Sequence, residues 1–195
     1  MNSKYKYKIS FIGDTASGKS SLLYSIFSPQ FITKEHIPTI GLDVKTKYYH
    51  FSNTPVLVYM YDTSGLEYYV KITSSFYKDS KVIFIVFDLS RKSSFKLVPH
   101  WYALIINTLD ERAKIILVGN KNDLPKQVSD KEINSFAKKY NLEYIETNYN
   151  EQLLSKKVEQ LINNLYQQDS VKLIQTNECI VRINNKSTNS CCIIS

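Results

Sequence analysis

Eight residues near the start of the chain, Gly13-Asp14-Thr15-Ala16-Ser17-Gly18-Lys19-Ser20, carry the most chemical information in the sequence. Their GxxxxGK[ST] spacing falls between a strand-like apolar run and a helical one, the setting in which the pattern cradles phosphate. Gly13 and Gly18 let the backbone curl so that successive N–H groups point at an anion, aided by the N-terminus of the following helix. Lys19 would then reach the β- and γ-phosphates of a nucleotide, and the Ser20 hydroxyl would coordinate Mg²⁺. Three later segments supply what such a loop needs around it. Asp62-Thr63-Ser64-Gly65 closes a strand-like run, offering a carboxylate for a metal-bound water and, at Gly65, an N–H for a γ-phosphate. Thr39, within Pro38-Thr39-Ile40-Gly41, can close over the metal by its hydroxyl. The two loops would be ordered by a triphosphate and released with a diphosphate. Asn120-Lys121-Asn122-Asp123 follows an apolar strand, where a carboxylate can accept from both the ring N–H and the amino group of guanine. Adenine offers neither, and a site built to bond a group rejects an analogue lacking it by roughly 10⁴–10⁵. Singly these strings are a Ser/Gly-rich turn and polar loops; in this order they corroborate one another.

The elements that must hold these loops are readable from periodicity. Tyr5–Phe11 reads as a strand and Ser21–Phe27 as a helix. Val44–Phe51 and Val56–Tyr61 read as strands around a hairpin at Ser52-Asn53-Thr54-Pro55. Val82–Leu89 and Lys114–Val118 are nearly continuous apolar runs, as buried parallel strands are. Phe95–Thr108 has helical spacing with Trp101 as a packing residue. Asp130–Tyr140 reads as a capped helix, Leu142–Ile145 as a last strand and Glu151–Gln168 as a closing helix. Strands alternating with helices predict a mostly parallel sheet covered on both faces. Past Asp169 the pattern decays into Asn, Ser and isolated apolar residues, read as a flexible tail over 169–195 after one domain over 1–168.

Composition narrows the function classes. The chain has 195 residues, 43% apolar and 22% charged, enough for one domain with its own core. No apolar run is long enough to span a bilayer. Met1–Lys8 lacks the apolar stretch of a signal peptide, so the cytosol, or the cytosolic face of an intracellular membrane, is the expected location. The net charge of +7 is spread along the chain, with no dense basic run or base-stacking motif, and nucleic acid is not the expected partner. The three cysteines all lie from Cys179 onward and cannot staple a core. There are five glycines where about fourteen would be typical, and each sits in or beside a loop named above.

Residues 5–168 resemble a Ras-like GTPase domain, and several strings are similar to its Rab branch rather than to Ras, Rho or Arf. Thr39-Ile40-Gly41-Leu42-Asp43 is close to the Rab switch I string. Ile72-Thr73-Ser74-Ser75-Phe76-Tyr77 looks like the Rab switch II helix, and Ser94-Phe95 with Trp101 like the helix after it. The resemblance implies an α/β P-loop NTPase fold, a Ras-like G domain with a mostly parallel six-stranded sheet and helices on both faces. It implies GTP/GDP and Mg²⁺ as cofactors, with Ser20, Thr39 and Asp62 at the metal. Nucleotide contacts are implied for Gly13, Asp14, Thr15, Ala16, Ser17, Gly18, Lys19, Ser20, Ser21, Phe31 (stacked on guanine), Thr39, Asp62, Gly65, Asn120, Lys121, Asp123, Thr147 and Asn148. Lys19 and Thr39 match catalytic positions. Leu66 stands where the family has its catalytic Gln, so hydrolysis is expected to be slow. Thr15 or Glu67 could take over the water, a partner could donate its own Gln, or Leu66 could simply pack beneath switch II.

Other departures bear on partners and affinity. Asn148-Tyr149-Asn150 replaces the usual Ser-Ala-Lys, and one extra residue stands between Phe31 and Thr39. Tyr61 and Val44 replace the usual Trp and Phe of a surface that, with Phe76, selects effectors. The last residues, Cys191-Cys192-Ile193-Ile194-Ser195, fit either C-a-a-X prenylation of Cys192 or double geranylgeranylation of Cys191 and Cys192, against a bland alternative of two free thiols. A prenyl-handling carrier, an exchange factor, effectors and a membrane reached through prenyl groups are the partners the resemblance implies, for a monomer acting in vesicle traffic. The rival reading is a GTP-locked, membrane-anchored module that recruits effectors without hydrolysing. A nucleotide kinase is a distant third, since no arginine-rich lid segment is present.

Overall fold

The computed structural model describes residues 3–27, 39–65, 77–107, 109–110, 112–149 and 152–187, with side chains described as far as Lys172. The elements run β1 (Tyr5–Gly13), α1 (Lys19–Phe27), β2 (Leu42–Phe51), β3 (Thr54–Thr63), β4 (Val82–Asp88), α2 (Lys92–Lys96), α3 (Val98–Ile106), β5 (Lys114–Asn120), α4 (Asp130–Lys139), β6 (Glu143–Thr147) and α5 (Leu153–Ser187). The continuous apolar runs become the centre of the sheet because strands covered on both faces bury every side chain. All seven residues of β4 are buried, and β5 is buried from Ile116 onward.

Six strands form one sheet in the order β2-β3-β1-β4-β5-β6, parallel except for the antiparallel β2–β3 pair. One face carries Ile9, Phe11, Val58, Met60 and Phe84 against Leu22, Leu23 and Ile26 of α1 and Leu154, Val158 and Ile162 of α5. The other carries Ile12, Ile83, Ile85 and Leu117 against Val98, Trp101 and Ile105 of α3 and Ile133 and Ala137 of α4. The doubly covered, mostly parallel sheet predicted from alternation is therefore present.

Register decides where the loops go. Phe11 pairs with Asp62, Gly13 with Val86, Asp88 with Asn120, and Asn120 with Thr147. All four pairs lie at the carboxyl ends of their strands. The chain order reverses between β1 and β4, and such a switch point opens a crevice at that edge.

Several boundaries differ from the sequence-based expectation. Phe95–Thr108 is not one helix: α2 ends at Lys96 and α3 starts at Val98, with Pro99 in its first turn. Proline lacks the N–H that a continuous helix would need there and is tolerated only near a helix start. The hairpin turn is the two residues Ser52 and Asn53, both at positive φ, as the twist of a tight hairpin requires. The closing helix does not stop at Gln168 but stays helical to Ser187. No glycine or proline interrupts 153–187, so no residue there breaks the helix by its backbone propensity. Among its described side chains, Tyr166 is the last that is buried, and Tyr7 Oη donates to Asp169 at 2.9 Å.

Candidate nucleotide site

Gly13–Ser20 links β1 to α1 and curls over the carboxyl edge of the sheet. Ala16 holds φ 58° and Gly18 φ 93°. A Cβ on Gly18 would lie 2.1 Å from Asn120 Nδ2, so only glycine permits the contact in which Asn120 donates to the Ser17 carbonyl at 2.8 Å. Lys19 is buried, and its ammonium donates to the carbonyls of Gly13 (3.0 Å) and Asp14 (2.9 Å), folding back across the loop. Burial pushes Lys19 down to about 8 against the pull of Asp62 and Asp14, while Arg91 adds to the depression. Gly65 closes on the same loop: a Cβ there would lie 2.5 Å from Lys19 Nζ and 2.7 Å from the Thr15 amide nitrogen.

Behind Lys19 three oxygens converge. Ser20 Oγ donates to Asp62 Oδ2 at 2.5 Å, Thr39 Oγ1 donates to the same oxygen at 3.2 Å, and the two hydroxyls are 3.0 Å apart. Burial raises the Asp62 carboxyl, and the hydrogen bonds and the Lys19 charge oppose that shift without reversing it. Asp62 Oδ1 is buried with no partner among the described residues. A buried carboxylate with one unsatisfied oxygen beside two hydroxyls is a hard-oxygen donor set that suits Mg²⁺.

The other end of the crevice is built by Asn120–Asp123 and β6. Lys121 adopts φ 63°, and its ammonium donates to the Ala16 carbonyl (3.0 Å) and to Asp88 Oδ2 (2.6 Å). The Asn122 N–H donates to the Thr147 carbonyl at 3.2 Å, and the Asn148 amide donates to Asn122 Oδ1 at 2.6 Å. Asp123 is exposed beside them. Ser17 Oγ and Asn120 Oδ1 are also buried and unpaired among the described residues. Unsatisfied buried groups are costly, so their gathering around one loop fits a site completed by a polar ligand.

The expected residues from Gly13 to Ser20, with Thr39, Asp62, Gly65, Asn120, Lys121, Asp123, Thr147 and Asn148, are thus gathered along one edge. Ser21 follows on α1, half-buried. Phe31, Leu66, Glu67, Cys191 and Cys192 lie outside the described residues. Two residues went unnoticed in the sequence. Asp88 pairs with Lys121, and Arg91 Nη2 reaches Asp14 Oδ2 at 2.9 Å and the Thr15 carbonyl at 2.6 Å. Their signal was position: Asp88 ends a buried parallel strand and Leu89-Ser90-Arg91 follows it, at the edge where ligands gather.

Fold and site together define a class, a phosphate-loop nucleotide-binding α/β domain. A Ras family profile matches residues 8–170. Ras-related protein Rab-11C of Dictyostelium discoideum is 33% identical over 166 residues, covering 84% of this chain and 74% of its own length. Rab-1D of the same organism is 38% identical over 143 residues (72% and 70%), and GTP-binding protein ypt3 of Schizosaccharomyces pombe 37% over 145 (73% and 67%). The chain belongs to the Ras family of small GTPases, within its Rab branch.

Proposed function

We propose that this chain is a Rab-type switch that binds GTP and GDP with Mg²⁺, hydrolyses GTP slowly and acts in vesicle traffic, held by prenyl groups at the cytosolic face of an intracellular membrane. One observation carries the nucleotide reading. Lys19, the Ser20–Thr39–Asp62 oxygens and the Asn120–Asp123 loop come from distant segments, yet meet along one sheet edge. That meeting supports one ligand with phosphate, metal and base contacts along the same edge.

Each residue then has a task. The loop N–H groups and Lys19 bind phosphate, and Asp123 accepts from guanine. Ser20, Thr39 and Asp62 would hold Mg²⁺, which when bound neutralises charge on the phosphate oxygens. Because Thr39 and Gly65 flank the phosphate loop from separate segments, a γ-phosphate would draw both inward, and its loss would free them.

Leu66 carries the slow-turnover part. A leucine side chain neither donates nor accepts a hydrogen bond, so it cannot orient an attacking water, and phosphoryl transfer depends largely on such positioning. The same residue favours the second reading, a GTP-locked module that recruits effectors. Anchoring rests on Cys191 and Cys192: one acyl-sized chain gives marginal membrane binding, two give stable attachment.

Competition titration tests the base assignment. GTP and GDP should bind far more tightly than ATP, with Mg²⁺ required. Asp123→Asn should forfeit guanine discrimination of roughly 10⁴–10⁵ and shift preference toward xanthine nucleotides. Equal ATP and GTP affinity in the native chain would remove the assignment.

A further inference from the structure

Three successive carbonyls of the phosphate loop are each tied by a side chain from another segment. Ser17 O accepts from Asn120, Ala16 O from Lys121 and Thr15 O from Arg91. The first two ties come from the base-recognition loop. The third comes from the turn after β4. The two cationic ties are built alike, each bridging one loop carbonyl and one carboxylate: Lys121 takes Asp88, and Arg91 takes Asp14.

That turn is itself held firmly. Asp88 Oδ1 accepts from the Ser90 N–H (2.9 Å) and hydroxyl (2.6 Å), while the Asp88 N–H donates to Ser94 Oγ at 2.9 Å. Burial alone would raise Asp88, but the bonds from Lys121 and Ser90 outweigh it, and the carboxyl sits below its ordinary value. The Leu89 N–H donates to the Asn120 carbonyl, and the Leu89 carbonyl accepts from the Gln127 N–H, both at 2.9 Å. The turn is therefore fastened to the base loop on one side and, through Arg91, to the phosphate loop on the other.

We infer that Arg91 is a positioning residue of the nucleotide site: by pairing with Asp14 and bonding the Thr15 carbonyl it sets how long the nucleotide stays bound. The inference rests on the nucleotide-binding reading above and adds a residue to it. Two effects act in the same direction. The guanidinium fixes the loop whose N–H groups must face the phosphates. It also neutralises the Asp14 carboxylate within the phosphate loop, and hydrogen bonds involving a charged group are the stronger class.

Release of a fluorescent GDP analogue from the full chain with Mg²⁺ present is the measurement. It is made on the native protein, Arg91→Ala, Arg91→Gln, Asp14→Ala, the Asp14→Ala/Arg91→Ala pair and the Asp14→Ala/Arg91→Gln pair, with thermal unfolding of each. Arg91→Ala should release GDP at least about tenfold faster, since it loses both charge-assisted bonds, to Asp14 and to the Thr15 carbonyl. The double variant should be no faster than Arg91→Ala, because Asp14 no longer needs a partner. Arg91→Gln keeps an N–H for Thr15 but not the charge; it should fall between, and Asp14→Ala should bring it back toward native. That arm decides the matter even if Arg91→Ala does not fold. A merely structural arginine would make release track the loss of melting temperature, with the two substitutions additive. Additivity, or Arg91 variants that release GDP at the native rate, overturns the inference alone; a native chain that does not bind GDP overturns the functional reading and the inference with it.

Discussion

Leucine at position 66 poses the sharpest question at the scale of single residues. If its lack of a polar group is what slows the chemistry, Leu66→Gln should speed single-turnover GTP hydrolysis by roughly tenfold to a hundredfold, the range in which misplacing a reacting group is felt. Rates that match between native protein and variant would mean that the leucine is not a brake. Gly18 is a second case. A methyl there would strike the Asn120 amide at 2.1 Å and break its bond to Ser17. Gly18→Ala should therefore lose GDP binding in a titration while the strands beneath remain folded by circular dichroism; normal affinity would show that the loop can shift to make room.

At the scale of elements, α4 shows how the sequence sets a helix start that serves the site. Ser129 and Glu132 form a capping box: Ser129 Oγ accepts from the Glu132 N–H, and the Glu132 carboxylate accepts from the Ser129 N–H. The box fixes the exit of the loop that carries Asp123. Ser129→Ala should cost about 1 kcal/mol and lower the melting temperature by about 2–4 °C in a domain of this size. Hydrogen bonds from Ser129, then Lys92, hold Glu132 down at about 2 from an ordinary 4.5. A carboxylate depressed by folding stabilises fully above its unfolded value and loses that contribution as pH falls through the folded one. The melting-temperature gap between native protein and Glu132→Gln should then be constant near neutrality and narrow between about pH 4.5 and 2. A gap unchanged across that window would show that ionisation of Glu132 does not matter to the fold.

At the scale of the whole molecule, the closing helix joins the packed domain to the cysteine-bearing end of the chain. Among the described side chains Tyr166 is buried against the core and Asp169 accepts from Tyr7 at the sheet, and the helical backbone runs on to Ser187. Among the described residues no helix is long and apolar enough to cross a membrane. The proposed anchoring is tested at the cysteines at 191 and 192. Protein from its native cells should carry two isoprenoid additions by intact mass, and a Cys191→Ser/Cys192→Ser variant should move from the membrane fraction to the supernatant. One farnesyl on Cys192 with Ile193–Ser195 removed would favour the C-a-a-X route. An unmodified C-terminus, with no change in fractionation, would reject both.

The chemical character of the site was legible residue by residue. A glycine-bounded loop before Lys19 and Ser20, an acid at the end of β3 and the Asn120–Asp123 string depend on types and spacings that neighbours in the chain display. The buried runs of β4 and β5 were equally plain, because burial on both faces demands apolar side chains at every position. Tertiary structure decided the rest. Strand register set Asp88 beside Asn120 and so gave Lys121 its carboxylate. The return of the chain after β4 brought Arg91 to Asp14, a pairing that no local pattern encodes. The ends of helices also escaped the sequence reading: Pro99 restarts a helix that periodicity ran together, and α5 runs past Gln168 to Ser187. Propensity and periodicity report on a few neighbouring residues, whereas a contact between distant segments exists only once the sheet has fixed which strands lie side by side.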